Sequence, residues 1–129
     1  MKILKQKDYE VYLISSALEP SVKTIADILG VEKYYGTTAL IQDGVYTSEL
    51  ELILNFEEKH NLLRQLLAET KHEKHVGFGD SAGDIDMLKA MDTAIVYNPK
   101  SQDLVSLAND HGWFIANENN VLEFAQNNL

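Results

Sequence analysis

Gly79-Asp80-Ser81-Ala82-Gly83-Asp84 follows the short apolar run His75-Val76-Gly77-Phe78 and precedes a helical stretch over residues 85–91. The order is strand, tight acidic turn, helix, with two carboxylates at the C-terminal end of the strand. In open α/β sheets, ligands bind at that edge. Two carboxylates four residues apart across a glycine turn suit one hard cation such as Mg²⁺, which takes oxygen ligands and keeps several waters. Asp80 and Asp84 can also cap the following helix, where carboxylates are favoured. The hexapeptide by itself leaves both readings open.

Outward from the turn, strand-like and helix-like segments alternate, and no repeat, low-complexity tract or Pro/Gly-rich linker divides them. That pattern predicts an α/β fold with a mainly parallel sheet in a single domain, residues 1–129. Downstream, residues 93–97 read as strand, 101–111 as helix, 113–116 as strand and 121–127 as helix, with Asn117-Glu118-Asn119-Asn120 supplying capping asparagines. Upstream, residues 56–70 read as a helix with Leu62, Leu63, Leu66 and Leu67 on its apolar face. Asp43-Gly44 between residues 38–42 and 45–47 signals a β-hairpin, and residues 33–36 a short strand. Pro20 suits the first turn of a helix that runs to Leu29 and stops at Gly30. Residues 10–14 read as a short buried strand, residues 15–18 as a turn after it, and residues 2–7 as the end of a helix.

A length of 129 residues suffices for one domain with a core of its own. The net charge of −9 argues against a nucleic-acid partner, which would call for a basic face. An anionic ligand would therefore need local positive charge from a metal or a placed lysine. With no cysteine, disulfides, thiolate catalysis and Cys-ligated zinc are excluded. No apolar run approaches a membrane span and residues 1–7 lack a signal peptide's apolar core, so a cytoplasmic protein without a membrane partner is expected. His60, His72, His75 and His111 form no convincing metal site; residues 71–75 read as a solvated loop. Trp113-Phe114 and Tyr34-Tyr35 read as core or edge-strand aromatics.

Two further places fall at strand ends or at the start of the adjoining helix. Ser15-Ser16-Ala17 follows the strand ending at Ile14, where a hydroxyl beside free N–H groups makes a phosphate-binding corner; a plain N-cap is the competing reading. Lys59, in Asn55-Phe56-Glu57-Glu58-Lys59, gains interest because a metallophosphate site needs an ammonium to offset the substrate's charge. By itself it reads as a solvated helix residue.

In order, Ser15, Lys59 and Asp80 with Asp84 resemble the second, third and fourth motifs of the haloacid dehalogenase superfamily of Mg²⁺-dependent phosphohydrolases. The likeness continues through Asp86-Met87-Leu88 and Asn98-Pro99, and the Asp43-Gly44 hairpin is similar to the subgroup that includes phosphoserine phosphatases. The resemblance implies a Rossmann-like three-layer α/β/α sandwich and a small phosphorylated substrate. It implies that Ser15 and Ser16 bind phosphate, that Lys59 neutralises it, and that Asp80 and Asp84 serve Mg²⁺.

The first motif of that family, an Asp-x-Asp after the first strand, has no match. Asp84-Ile85-Asp86 has the spacing but belongs to the fourth motif. The resemblance therefore implies an incomplete core that lacks its central strand, with no cap domain and no turnover by this chain alone. The sheet would be completed by a preceding segment, by another copy, or by direct pairing of the two flanking strands. Ser16-Ala17 stands where phosphoserine phosphatases carry glycines, and Gly83 where they carry Asn, so phosphoserine itself is not implied. Two alternatives belong to other classes: a non-catalytic module that binds phosphate, metal or a partner chain, and a receiver-like domain whose aspartates hold a metal.

Overall fold

Asp43 and Gly44 both take positive φ, 51° and 77°, the backbone of a two-residue hairpin turn matched to the strand twist. The computed structural model describes residues 1–129 in two units, Met1–Leu62 and Leu63–Leu129. The first carries α1 (Lys2–Gln6), β1 (Tyr12–Leu18), α2 (Glu19–Leu29), β2 (Lys33–Gln42) and β3 (Val45–Leu52), and α3 (Phe56–Glu69) begins in it. The second carries β4 (Val76–Gly79), α4 (Ile85–Lys89), β5 (Thr93–Tyr97), α5 (Gln102–His111), β6 (Phe114–Ala116) and α6 (Val121–Asn128).

In the first unit β1 pairs parallel with β2, and β2 antiparallel with β3. The expected turn at residues 15–18 is instead strand. Ile14 pairs with Tyr35 and Leu18 with Thr37, so β1 advances four residues while β2 advances two. Residues 15–17 bulge out of the ladder, and Leu18 returns to it. The two strands expected at residues 33–36 and 38–42 are one, because Gly36 lies in its middle. A Cβ there would sit 2.8 Å from Glu19 Cα and 2.9 Å from Val22 Cγ2, so only glycine lets the start of α2 close over the strand. Gly30 ends α2 at φ 64°, as expected. Residues 11–14 are half-buried rather than buried, since β1 has β2 as its one sheet neighbour.

In the second unit β4, β5 and β6 are parallel in that order. Leu88, Ala94, Val96, Leu104 and Ala108 form a buried cluster, with Ile85, Met87, Trp113 and Ile115 packed against it. Phe114 stacks on Phe124 at 3.8 Å between ring centroids. Ser101 Oγ caps α5 by accepting from Leu104 N, and Gly112 closes it at φ 68°. Asn120 makes no side-chain cap on α6: its Oδ1 accepts from Asn117 N and its Nδ2 donates to the Ile115 carbonyl, tying the loop to β6. His75 is half-buried against Asp92 rather than solvated. The expected single sheet is resolved into two three-stranded sheets, in which β1 and β4 each have one hydrogen-bonded neighbour. No helix is long and apolar enough to cross a membrane.

Candidate functional site

The acidic turn begins in β4, whose Gly77 and Gly79 lie on one face of the strand. A Cβ on Gly77 would lie 2.6 Å from Met91 Cγ, and one on Gly79 2.5 Å from Asp84 Cβ. The bare strand face is what allows the chain to fold back on itself. Asp84 Oδ2 then accepts three hydrogen bonds, from Asp80 N (3.1 Å), Ser81 N (3.1 Å) and Ser81 Oγ (3.0 Å). Residues Ala82–Asp84 form a 3₁₀ turn, and α4 ends at Lys89, two residues short of the expected end. One oxygen of Asp84 thus organises the turn, whereas the Asp80 carboxylate makes no cap and neither side chain caps α4 itself.

Asp80 faces a residue that the sequence reading missed. Lys100 Nζ stands 2.6 Å from Asp80 Oδ2, and the Lys100 N–H donates to the Asp80 carbonyl at 3.4 Å. The strand register explains the approach: Gly79 is paired with Val96, so the loops leaving β4 and β5 emerge side by side. The Lys100 pKa is pushed up by the hydrogen bond and charge of Asp80, with Asp84 adding to it. The signal was present in the sequence, as a lysine directly after Asn98-Pro99 at the end of the strand beside β4.

In the first unit, Ser16 Oγ donates to the Leu54 carbonyl at 2.7 Å. Thr37 Oγ1 donates to the Ser16 carbonyl at 2.9 Å and accepts from Leu54 N at 3.1 Å. Ser15 Oγ accepts from Ala17 N at 3.2 Å. Asn55 Oδ1 caps α3 by accepting from Glu58 N, and Lys59 N donates to the Asn55 carbonyl. The bulge that carries Ser15 and Ser16 is therefore tied to the start of the helix that carries a half-buried Lys59. Ser15, Ser16 and Lys59 thus lie in Met1–Leu62, with Ser16 bonded five residues before Lys59, while Asp80, Asp84 and Lys100 meet in Leu63–Leu129.

The acidic turn offers hard oxygen donors of the kind Mg²⁺ prefers, and the ion commonly takes one or two protein carboxylates and completes its shell with water and phosphate oxygens. No group of three or more His, Cys, Asp or Glu residues is placed to hold a metal. The Lys100 ammonium stands on Asp80, so a metal ion there would share or displace it. The donor chemistry fits the ion.

A family model for haloacid dehalogenase-like hydrolases matches residues 1–89. Phosphoserine phosphatase SerB1 of Mycobacterium tuberculosis is 32% identical over 109 residues, covering 82% of this chain and 35% of the relative. A Bordetella pertussis protein of unknown function superimposes with a TM-score of 0.76 at 25% identity, over 86% of this chain and 52% of that one. A substrate-bound phosphoserine phosphatase shares the fold, with a TM-score of 0.73 at 24% identity over 95% of this chain and 59% of the other. The chain spans about a third to a half of the length of the curated relatives it matches.

Proposed function

Because the chain belongs to the haloacid dehalogenase-like hydrolase family and is phosphoserine phosphatase-like, we propose that it supplies the phosphate- and Mg²⁺-binding part of a phosphomonoester hydrolase. The acidic turn supports this reading, since Asp84 Oδ2 accepts from the Asp80 N–H and so fixes two acidic residues at the C-terminal edge of a parallel sheet. Asp80 and Asp84 would hold Mg²⁺, which when bound supplies charge neutralisation and polarisation of the phosphoryl group. Ser15 keeps its hydroxyl hydrogen to donate to a phosphoryl oxygen, because its oxygen accepts from Ala17 N. Lys59 would set an ammonium against the phosphate, and Ser16 would join once its hydroxyl leaves the Leu54 carbonyl. A single layered core over residues 1–129, lacking its central strand, is the fold-level part of the proposal. The single sheet neighbour of β1 and of β4 supports it, and a second copy or a further segment would complete the sheet. A cytoplasmic setting and a small phosphorylated substrate belong to the same reading.

Asp84-Ile85-Asp86 spans the 3₁₀ turn and α4 and does not directly follow a strand, so on this reading it does not supply the attacking aspartate. The purified 129-residue chain is expected to bind Mg²⁺ and inorganic phosphate without hydrolysing p-nitrophenyl phosphate or phosphoserine. By calorimetry, Asp80→Asn should abolish Mg²⁺ binding. Lys59→Met should weaken phosphate binding by about tenfold or more, the usual loss for a hydrogen bond to a charged group. Mg²⁺-dependent turnover that disappears in Asp80→Ala would overturn the expected inactivity, and phosphate affinity indifferent to Lys59 would overturn the phosphate site.

A non-catalytic binding module is the second reading, favoured by the engagement of the Ser16 hydroxyl with Leu54. On that reading Ser16→Ala leaves phosphate affinity unchanged.

A further inference from the structure

Lys100 is not placed by the length of its side chain alone. Asn98 takes φ 45°, a left-handed backbone that its short amide side chain tolerates, and its N–H donates to the Ala116 carbonyl at 2.9 Å. Three residues later Ser101 caps α5 through Leu104 N. Lys100 is therefore pinned between a β-sheet anchor and a helix cap, with its backbone N–H on the Asp80 carbonyl and its ammonium on the Asp80 carboxylate.

We propose that Lys100 is a positioning residue that acts as a built-in counter-ion for Asp80, holding the carboxylate ordered before the divalent cation arrives and leaving it when the cation binds. The inference rests on the proposed Mg²⁺ role of Asp80 and adds a regulation of that site. Both cations would draw on the Asp80 carboxylate, so the ion would have to compete with an ammonium already paired there. The Coulomb side of this competition is modest because the pair is exposed, 73% at Lys100 and 46% at Asp80.

Titration of the 129-residue chain with Mg²⁺ by calorimetry, and with Mn²⁺ by electron paramagnetic resonance, tests the exchange at low and at high salt. Lys100→Met should tighten metal binding by about two- to fivefold at low ionic strength, the range set by an exposed ion pair, and the gain should shrink as salt screens it. Lys100→Arg should bind as the parent does. Lys89→Met, with the same change in net charge, should also match the parent. Equal or weaker binding by Lys100→Met, or the same gain in Lys89→Met, overturns the counter-ion role. If Asp80→Asn removes metal binding while Lys100→Met changes nothing, only this inference fails. If Asp80→Asn binds as the parent does, or no variant binds at all, the metal site and the inference fail together.

Discussion

The two units dispose of their apolar side chains in opposite ways. In Leu63–Leu129, Leu88, Ile95, Val96 and Leu104 are fully buried, and Phe78 and Leu122 are the large apolar side chains left exposed. Met1–Leu62 exposes eleven, seven of them between Ile41 and Phe56, and ties β1 to the start of α3 with the hydroxyls of Ser16 and Thr37. The acidic turn thus stands on a scaffold with large side chains packed at its centre, while Ser15 and Lys59 stand on one that buries Val22, Ala26, Val31 and Leu54 and leaves more of its large apolar side chains exposed. Groups locked by packing hold their geometry more closely than groups on lightly buried elements. The metal half of the proposed site is accordingly the more rigid half.

The largest expected effect tests that contrast directly. Leu88→Ala empties the centre of the C-terminal cluster and should lower amide-exchange protection over residues 76–116 by about 2–5 kcal/mol. Ile28→Ala, at a side chain 74% exposed in the other unit, should stay within about 0.5 kcal/mol of the parent. Equal losses would break the comparison.

Gly79→Ala comes next. Its Cβ would meet Asp84 Cβ at 2.5 Å, so the turn has to open, at about 1–3 kcal/mol for overpacking. Calorimetry should show Mg²⁺ binding weakened with it, because Asp84 moves off the Asp80 and Ser81 donors. Thr37→Val is the counterpart in the first unit. It leaves the buried N–H of Leu54 without its hydroxyl acceptor, which should cost about 1–3 kcal/mol in a urea melt. No loss would mean that packing, and not the hydroxyl network, holds β1 to the segment before α3.

The same contrast explains how far the sequence could be read. β5 is found at the expected residues 93–97, and α5 spans Gln102–His111 within the expected 101–111, because these signals are local. The hairpin turn at Asp43-Gly44 was legible for the same reason. The stretch Ser15-Ser16-Ala17 looks like a turn because its residues are small and polar. It is a bulged strand because Leu18 finds Thr37 on a neighbour, and that pairing is not written in the local sequence. Gly36 reads as a strand end until the close approach of α2 shows why a glycine sits inside one. At the site, Asp80 and Asp84 announced themselves by spacing across a glycine turn. Lys100 did not, since its meaning comes from the β4–β5 register that carries it to Asp80. The engagement of the Ser16 hydroxyl was equally invisible, because the Leu54 carbonyl it meets is 38 residues away.

The smallest effect separates scaffold from turn most cleanly. Asp92 Oδ2 accepts from His75 N at 2.7 Å and lies 3.3 Å from His75 Nδ1, and this N–H holds the Asp92 carboxyl below the ordinary carboxylate range. A pKa lower in the folded chain than in the unfolded one means a contribution that is complete above the unfolded value and is lost as pH falls through the folded one. Asp92→Asn should therefore lower stability slightly at neutral pH and flatten the acid limb of a stability profile, with wild type and variant converging in acid. Asp92 N and Thr93 N both donate to the His75 carbonyl, so this contact clamps the ends of β4 and β5 opposite to Asp80. Mg²⁺ affinity should be the same in Asp92→Asn as in the parent. A change in affinity would mean that the acidic turn feels the far end of its strands, and that the rigidity ascribed to the C-terminal unit is not local to the packed cluster.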